Sequence, residues 1–202
     1  MSKNENRKTR KIIIGVFLSL LLVLVITFYL RQTGDDLISS SNNTQQENKY
    51  QTEVGQIFSI EGNTRPQIGK TAPDFSFGIK QENEILLSSL QDEKPALISF
   101  WTTWCGACRA KMPHIQEIYD KYKQKLQILS INLQEDKETI KTFMENNDYS
   151  FPVYRDSGQL GQLYFVQSIP TAFFIDQKGI IRQTHTGLMT SEKIEESLEK
   201  IL

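Results

Sequence analysis

The chain has 202 residues, of which 39% are apolar and 23% are charged, and its formal net charge is −1. Residues 1–34 contain six basic residues and one glutamate, so a charge of +5 there leaves −6 for the rest. An acidic remainder is a poor candidate for nucleic-acid binding. The length holds one domain of ordinary size plus additional segments, and such a domain buries a core without disulfide staples. The two cysteines are therefore free for chemistry.

An apolar segment near the N-terminus predicts a membrane anchor. Residues 12–30 form a nearly uninterrupted apolar run, preceded by basic residues and followed by Asp35 and Asp36. At about 1.5 Å per residue, this run spans the roughly 30 Å hydrocarbon core of a bilayer. The charge order puts the N-terminus in the cytoplasm and the rest outside the cell. We predict that residues 1–30 are a basic cytoplasmic tail and a single-pass transmembrane helix.

A cleaved signal peptide is the alternative interpretation of the same segment. The apolar run is longer than the usual ~7–15 residues of a signal sequence, and no small-residue cleavage motif follows promptly. Under either interpretation, the domain is exported to a compartment where disulfides form and persist.

The next segment, residues 31–66, is predicted to be a polar linker. Its centre is rich in serine, asparagine and glutamine and has no apolar periodicity, so it cannot bury enough surface to fold alone. Val54–Ile60 is a candidate for a short ordered piece within it. The folded domain is predicted to occupy residues 67–202.

Alternating strand and helix patterns fill this domain. Phe75–Ile79 and Glu84–Leu87 predict a β-hairpin, and the continuously apolar Ala96–Trp101 predicts a strand buried on both faces. A helix with an apolar stripe follows the cysteines. The remaining elements are predicted as strand Leu126–Leu133, helix Asp136–Asn146, an extended piece at Phe151–Tyr154, a helix through Tyr164, strands Ala172–Ile175 and Ile180–Thr186, and a final helix capped by Thr190. The order is βαβ, an extra βα unit, then ββα.

The cysteines lie at the junction between the buried strand and the following helix, as Cys105-Gly106-Ala107-Cys108. Two thiols one helical turn apart can form a disulfide with little backbone movement. Free amide groups and the positive end of the helix dipole stabilise a thiolate at Cys105, which is therefore the predicted attacking sulfur. Cys108, one turn further along, is the predicted resolving sulfur.

Together with Ser168-Ile169-Pro170-Thr171 downstream, the run around the cysteines resembles the thioredoxin superfamily, most closely its membrane-anchored TlpA/ResA-type thiol-disulfide oxidoreductases. The resemblance implies an α/β thioredoxin-like fold with an N-terminal β-hairpin and a central βα insertion, preceded here by one transmembrane helix. It also implies a cis peptide bond at Pro170 and substrate-binding roles for Trp104, Ile169 and Pro170. No cofactor is implied, because the redox-active group is the disulfide itself.

The chain departs from the family pattern at three places. Ser99 replaces the buried aspartate of thioredoxin, Lys111 stands where the reductases commonly have an acidic residue, and Gly106-Ala107 lacks a proline. A lysine near the pair would favour the thiolate, although Lys111 could equally be a surface charge. Because these positions modulate the reduction potential, the direction of electron flow stays open.

The function implied by the resemblance is reduction of disulfides in exported proteins, for example during cytochrome c maturation, with electrons from a membrane-bound thiol-reducing donor. Oxidation or isomerisation is the close alternative; a potential near −270 mV would indicate reduction and one near about −120 mV oxidation. A peroxiredoxin-like peroxidase is less favoured, because that chemistry uses a lone cysteine. A Cu(I)-binding assembly protein would need a histidine beside the thiols, and His114 and His185 have no partner at ligand spacing. No metal site is predicted, since structural zinc takes four ligands.

Overall fold

The structure is a computed structural model that describes residues 53–61, 65–90 and 93–202. Within these ranges, no helix has the length and apolar character needed to cross a membrane. The predicted anchor at residues 12–30 and most of the predicted linker lie outside the described residues.

The described residues form one eight-stranded mixed sheet with helices on its faces. The strand order is β3-β2-β1-β6-β5-β4-β7-β8. The strands are β1 (Val54–Glu61), β2 (Asp74–Gly78), β3 (Ile85–Leu86), β4 (Ala96–Trp101), β5 (Gln127–Leu133), β6 (Val153–Asp156), β7 (Thr171–Ile175) and β8 (Ile181–Thr186). The α-helices are α1 (Gly106–Tyr122), α2 (Lys137–Asn146), α3 (Gln159–Leu163) and α4 (Ser191–Leu198).

The strand that leads to the cysteines lies deep in the sheet. β4 pairs in parallel with β5 and antiparallel with β7, and all six of its residues are buried. Its side chains alternate between two apolar cores, because successive strand residues point to opposite faces. Leu97 and Trp101 face the core beneath α1 and α4, whereas Ile98 and Phe100 face the core beneath α3. The continuous apolar pattern of β4 therefore correctly predicted burial on both faces.

The hairpin and the insertion also agree with the sequence pattern. β2 and β3 pair antiparallel, and α2 with β6 supplies the extra helix and strand between the two halves of the fold. Parallel pairing of β5 with both β4 and β6 requires crossover connections, which α1 and α2 provide. The predicted mixed α/β architecture is therefore confirmed.

One inner strand lies in a stretch that composition assigned to the linker. β1 pairs antiparallel with β2 and in parallel with β6, so it joins the hairpin to the rest of the sheet. Several of its residues, including Gln56 and Ser59, are polar, which weakened the strand pattern. Ser59 is accommodated because its hydroxyl bonds that of Ser76 at 2.8 Å. The sheet thus begins before residue 67.

Candidate active site

Cys105 and Cys108 form a disulfide at the point where β4 gives way to α1, with their Cα atoms 5.2 Å apart. Cys105 retains 8% exposure, whereas Cys108 is 0% exposed. In the predicted order of reaction, the outer sulfur meets the substrate and the inner sulfur resolves the mixed disulfide.

The start of α1 provides the electrostatic environment of Cys105. Cys105 is the N-cap residue, and the backbone N–H of Cys108 donates to its Sγ at 3.1 Å. In the reduced protein, the same N–H and the positive end of the 17-residue helix would stabilise a Cys105 thiolate. The geometry therefore favours Cys105 as the nucleophile.

A proline loop lies directly against the disulfide. The Ile169–Pro170 peptide bond is cis, as the resemblance implied, and the Ile169 carbonyl oxygen lies 3.7 Å from Cys105 Sγ. Gly187 holds the loop from behind by donating its N–H to the Pro170 carbonyl at 2.8 Å. Ile169 is half-buried and Pro170 is buried. The structure thus brings together two motifs that are about sixty residues apart in sequence.

The two tryptophans near the pair have opposite environments. Trp101 is fully buried and packs on Phe143 with ring centroids 5.3 Å apart, whereas Trp104 is 73% exposed. Gly106 and Ala107, between the cysteines, are also exposed. A Cβ on Gly106 would meet no atom within 4 Å, so packing does not require glycine there.

Lys111 is not a surface charge, and that interpretation of the sequence is wrong. The residue is 1% exposed, and its Nζ donates to Ser99 Oγ at 2.8 Å. Burial lowers the pKa of Lys111 from 10.5 to about 7, because the desolvated ammonium is disfavoured. The apolar residues of α1 predicted which face of the helix is buried, but they did not indicate that Lys111 would lie on that face.

Glu135 is a site residue that the sequence analysis missed. Its carboxylate accepts hydrogen bonds from the Thr103 N–H at 2.7 Å and the Thr103 hydroxyl at 2.5 Å, and also from Asn132 Nδ2 at 2.7 Å. The Glu135 carbonyl in turn accepts from Arg155 Nε at 2.7 Å. Glu135 therefore ties the loop before Cys105 to the end of β5. Since neighbouring parallel strands end at one edge of the sheet, the polar residues after β5 were the available sequence signal.

We expect Glu135→Ala to slow thiol–disulfide exchange by roughly ten-fold, because a small misplacement of a reacting group is costly. The measurement is the rate at which the reduced protein reacts with a small disulfide. Glu138→Ala, which removes an exposed carboxylate three residues further on, is the matched control and should react like the wild type. Equal rates for both variants would show that Glu135 does not position the loop.

One histidine, His114, lies on α1, and the other, His185, lies on the edge strand of the sheet. His114 Nδ1 lies 2.9 Å from the hydroxyl of Ser191 at the start of α4, and His185 is on β8. Over the described ranges, no group of three or more histidine, cysteine, aspartate and glutamate side chains could hold a metal ion.

The chain is similar to known proteins in sequence and in fold. The sequence model of the AhpC/TSA family matches residues 68–184. The thiol-disulfide oxidoreductase ResA of Geobacillus kaustophilus is 39% identical over 140 residues, which cover 68% of this chain and 80% of ResA. The crystal structure of StoA from Bacillus subtilis superposes with a TM-score of 0.51 at 30% identity, covering 57% of this chain and 90% of StoA.

A thioredoxin family protein from Chlorobium tepidum is 22% identical to this chain and shares its fold with a TM-score of 0.58. The superposition covers 69% of this chain and 99% of that protein. The sheet order and the redox pair define a thioredoxin-like thiol-disulfide oxidoreductase. The chain belongs to the AhpC/TSA family and is a thioredoxin-superfamily protein of the TlpA/ResA type.

Proposed function

We propose that this oxidoreductase is anchored in the cell membrane by residues 12–30 and reduces disulfides in exported proteins on the extracytoplasmic side. The proposed anchoring is supported by the basic residues before the apolar run and the acidic residues after it. Cytochrome c maturation is one process that such an enzyme would serve. No bound cofactor is needed, because electrons pass through the Cys105–Cys108 pair.

The observation that carries the proposal is the partly exposed Cys105 beside the Ile169–Pro170 loop and the exposed Trp104. An extended substrate segment can pair with the backbone at Ile169 while an apolar side chain contacts Trp104. Protein substrates fit this open surface.

The oxidised enzyme must be reduced again after each turnover. Since Cys108 is buried, an electron donor would also have to attack Cys105 through the same surface. A membrane protein with a reactive thiol is the donor class that fits a membrane-tethered enzyme. Substrate and donor would therefore exclude one another at the site.

Cys108→Ser is expected to trap substrates in cells as mixed disulfides on Cys105, because the resolving sulfur is gone. The complexes are isolated from the full-length variant under non-reducing conditions, and their partners are identified by mass spectrometry. Cys105→Ser, which retains only the buried sulfur, is the control and should trap nothing. Exported proteins among the partners support the proposal. An empty trap would contradict the exchange role, and exclusively cytoplasmic partners would contradict the location.

A further inference from the structure

Phe165 is an exposed aromatic residue in a backbone conformation that is unfavourable for it. At the end of α3, the Val166 N–H donates to the Gly161 carbonyl at 2.9 Å, and the Phe165 N–H donates to the Gln162 carbonyl at 3.0 Å. This pair of bonds is the Schellman pattern, which places Phe165 in the left-handed region with a φ of 49°. Glycine or asparagine is favoured there, because a Cβ atom crowds the following carbonyl oxygen. The end of the helix therefore does not explain the phenylalanine.

Packing in the core does not explain it either. The Phe165 side chain is 46% exposed, and the guanidinium of Arg65 lies over its ring, 4.3 Å from the centroid. This cation–π contact helps to orient the ring at the protein surface. An exposed aromatic side chain on a strained backbone position is a candidate for a binding role.

Phe165 lines an open cavity of about 260 Å³. Leu133 and Val166 add apolar surface to it, and its lining also includes the side chains of three glutamines, Gln134, Gln162 and Gln167. None of the described residues that line the cavity is charged. The three glutamine amides form no hydrogen bond with another described residue. Apolar surface and free, uncharged amides match the apolar side chains and the backbone N–H and C=O groups of a polypeptide.

The cavity and the disulfide share one edge of the sheet. β4, β5 and β6 are parallel, so their carboxyl ends meet at this edge. Cys105 follows β4, whereas the cavity residues Gln134 and Gly158 follow β5 and β6. Ile169 packs against both apolar cores, so it lies between the α1 side, which holds the disulfide, and the α3 side, which holds the cavity. The cavity is therefore continuous with the exchange surface.

We propose that the cavity beside Phe165 binds the substrate polypeptide and selects an apolar side chain about four or five residues from the reacting cysteine. This inference rests on the proposed reductase function and specifies its substrate class. Phe165 precedes Ile169 by four residues, which span at most about 14 Å. The Ile169 carbonyl oxygen lies 3.7 Å from Cys105 Sγ. An extended substrate segment paired at Ile169 thus reaches Phe165 with four or five of its own residues.

The chemistry of the cavity favours substrates that have not completed folding. An apolar substrate side chain leaves water and packs on the exposed part of the Phe165 ring, while the neighbouring substrate backbone bonds to the glutamine amides. Cysteines and apolar side chains are both usually buried in folded proteins. A cysteine with an apolar neighbour is therefore accessible mainly in an incompletely folded polypeptide, and this is the substrate class that the cavity selects.

The test measures how the reduced full chain reacts with a series of peptides. Each peptide consists of alanine and serine around one cysteine, which is held as a mixed disulfide with nitrothiobenzoate. Attack by Cys105 on the peptide sulfur releases the coloured nitrothiobenzoate, which is the better leaving group. One phenylalanine is placed two to six residues from the cysteine on either side. At the best position, four or five residues away, it is expected to raise the second-order rate constant by about ten-fold over the peptide without phenylalanine.

Two variants of Phe165 separate binding from folding. Phe165→Gly removes the ring and suits the left-handed backbone, so the fold is retained. It is expected to abolish the preference while leaving the rate with the phenylalanine-free peptide unchanged. Phe165→Asn, which also tolerates this conformation, should behave in the same way. Ile85→Ala is the matched control, because Ile85 is 43% exposed on the edge strand β3, and this variant should keep the preference.

The outcomes distinguish this inference from the proposed function. Equal rate constants for all peptides in the wild type would overturn the inference and leave the oxidoreductase function intact. A preference that persists in Phe165→Gly would also overturn it, because another surface would then be responsible. Equal slowing with every peptide would assign Phe165 a structural role instead. Sedimentation of the wild type as a dimer that Phe165→Gly dissociates would assign the cavity to a second copy of the chain. A reduced wild type that releases no coloured thiolate from any peptide would contradict the exchange function itself.

Discussion

Replacing Lys111 with methionine is expected to raise the free energy of unfolding of the oxidised protein by up to about 4 kcal/mol near pH 7. The two side chains have similar lengths, so the change removes a buried amine without leaving a large cavity. Burial lowers the folded-state pKa of Lys111 from 10.5 to about 7. Between these pH values, the unfolded chain binds a proton that the folded chain does not bind.

The sign of the pH dependence follows from this difference in bound protons. Wild-type stability should rise with pH from about 7 to about 10.5, because the unfolded chain progressively loses its extra proton. The cost of burying Lys111 is therefore largest at and below pH 7 and disappears above 10.5. Lys111→Met should lack this contribution, so the two stability curves should converge as the pH rises.

The measurement is chemical denaturation of both proteins at several pH values in the disulfide form, in which the cysteines do not titrate. Buried tyrosines such as Tyr154, whose pKa burial raises to about 12, affect both proteins equally and cancel in the comparison. Lys121→Met should follow the wild-type curve, since Lys121 forms an exposed ion pair with Glu195. Coincident curves for the wild type and Lys111→Met near pH 7 would show that the buried amine does not destabilise the fold.

Asp156→Ala is expected to lower the free energy of unfolding by roughly 2–4 kcal/mol. Asp156 is fully buried, and its carboxylate accepts from the N–H groups of Leu160 at 3.0 Å and Gly161 at 2.9 Å. These donors belong to α3, which is too short to be stable without tertiary contacts. The alanine variant leaves both N–H groups buried without an acceptor.

The consequence of losing this cap extends into the aromatic core. Tyr164 directly follows α3, donates its hydroxyl to the Pro73 carbonyl at 2.8 Å and packs against Phe75, Phe100 and Phe173. Asp156→Asn keeps one acceptor oxygen and should lose about half as much stability as alanine. Denaturation midpoints of the oxidised proteins provide the measurement. An alanine variant as stable as the wild type would show that the start of α3 is held by other contacts.

The sequence predicted the parts of the fold and site that depend on local pattern. The mostly apolar run Ala96–Trp101 is short and therefore favours a buried strand, and the C-x-x-C that follows it favours two nearby sulfur atoms at a helix start. The cap of the last helix at Thr190 was also readable, and its side chain accepts from the Lys193 N–H three residues later. Likeness to a family supplied what local pattern lacks, namely the cis bond before Pro170.

The parts that could not be predicted depend on contacts between distant segments. Lys111 lies three residues after the buried Cys108, so helix geometry places it on the buried face, whereas its charge predicts exposure to solvent. The hydrogen bond from its Nζ to the Ser99 hydroxyl, which makes burial possible, joins two different elements and cannot be predicted from local pattern. The Glu135 carboxylate accepts from Thr103 across 32 residues, and Glu135 belongs to no motif that the sequence analysis recognised. β1 contains several polar residues, so its own composition does not predict a strand. Its pairing with β2 and β6 holds it in the sheet.

The interior position of β1 matters for anyone who prepares the enzyme without its N-terminal region. A fragment that begins at residue 67 would lack β1, which pairs with both β2 and β6. The unpaired backbone groups at the edges of β2 and β6 could then pair with strands of other molecules. A soluble fragment should therefore retain Val54 and the few residues before it. The catalytic half would then remain joined through β1 to the hairpin of β2 and β3.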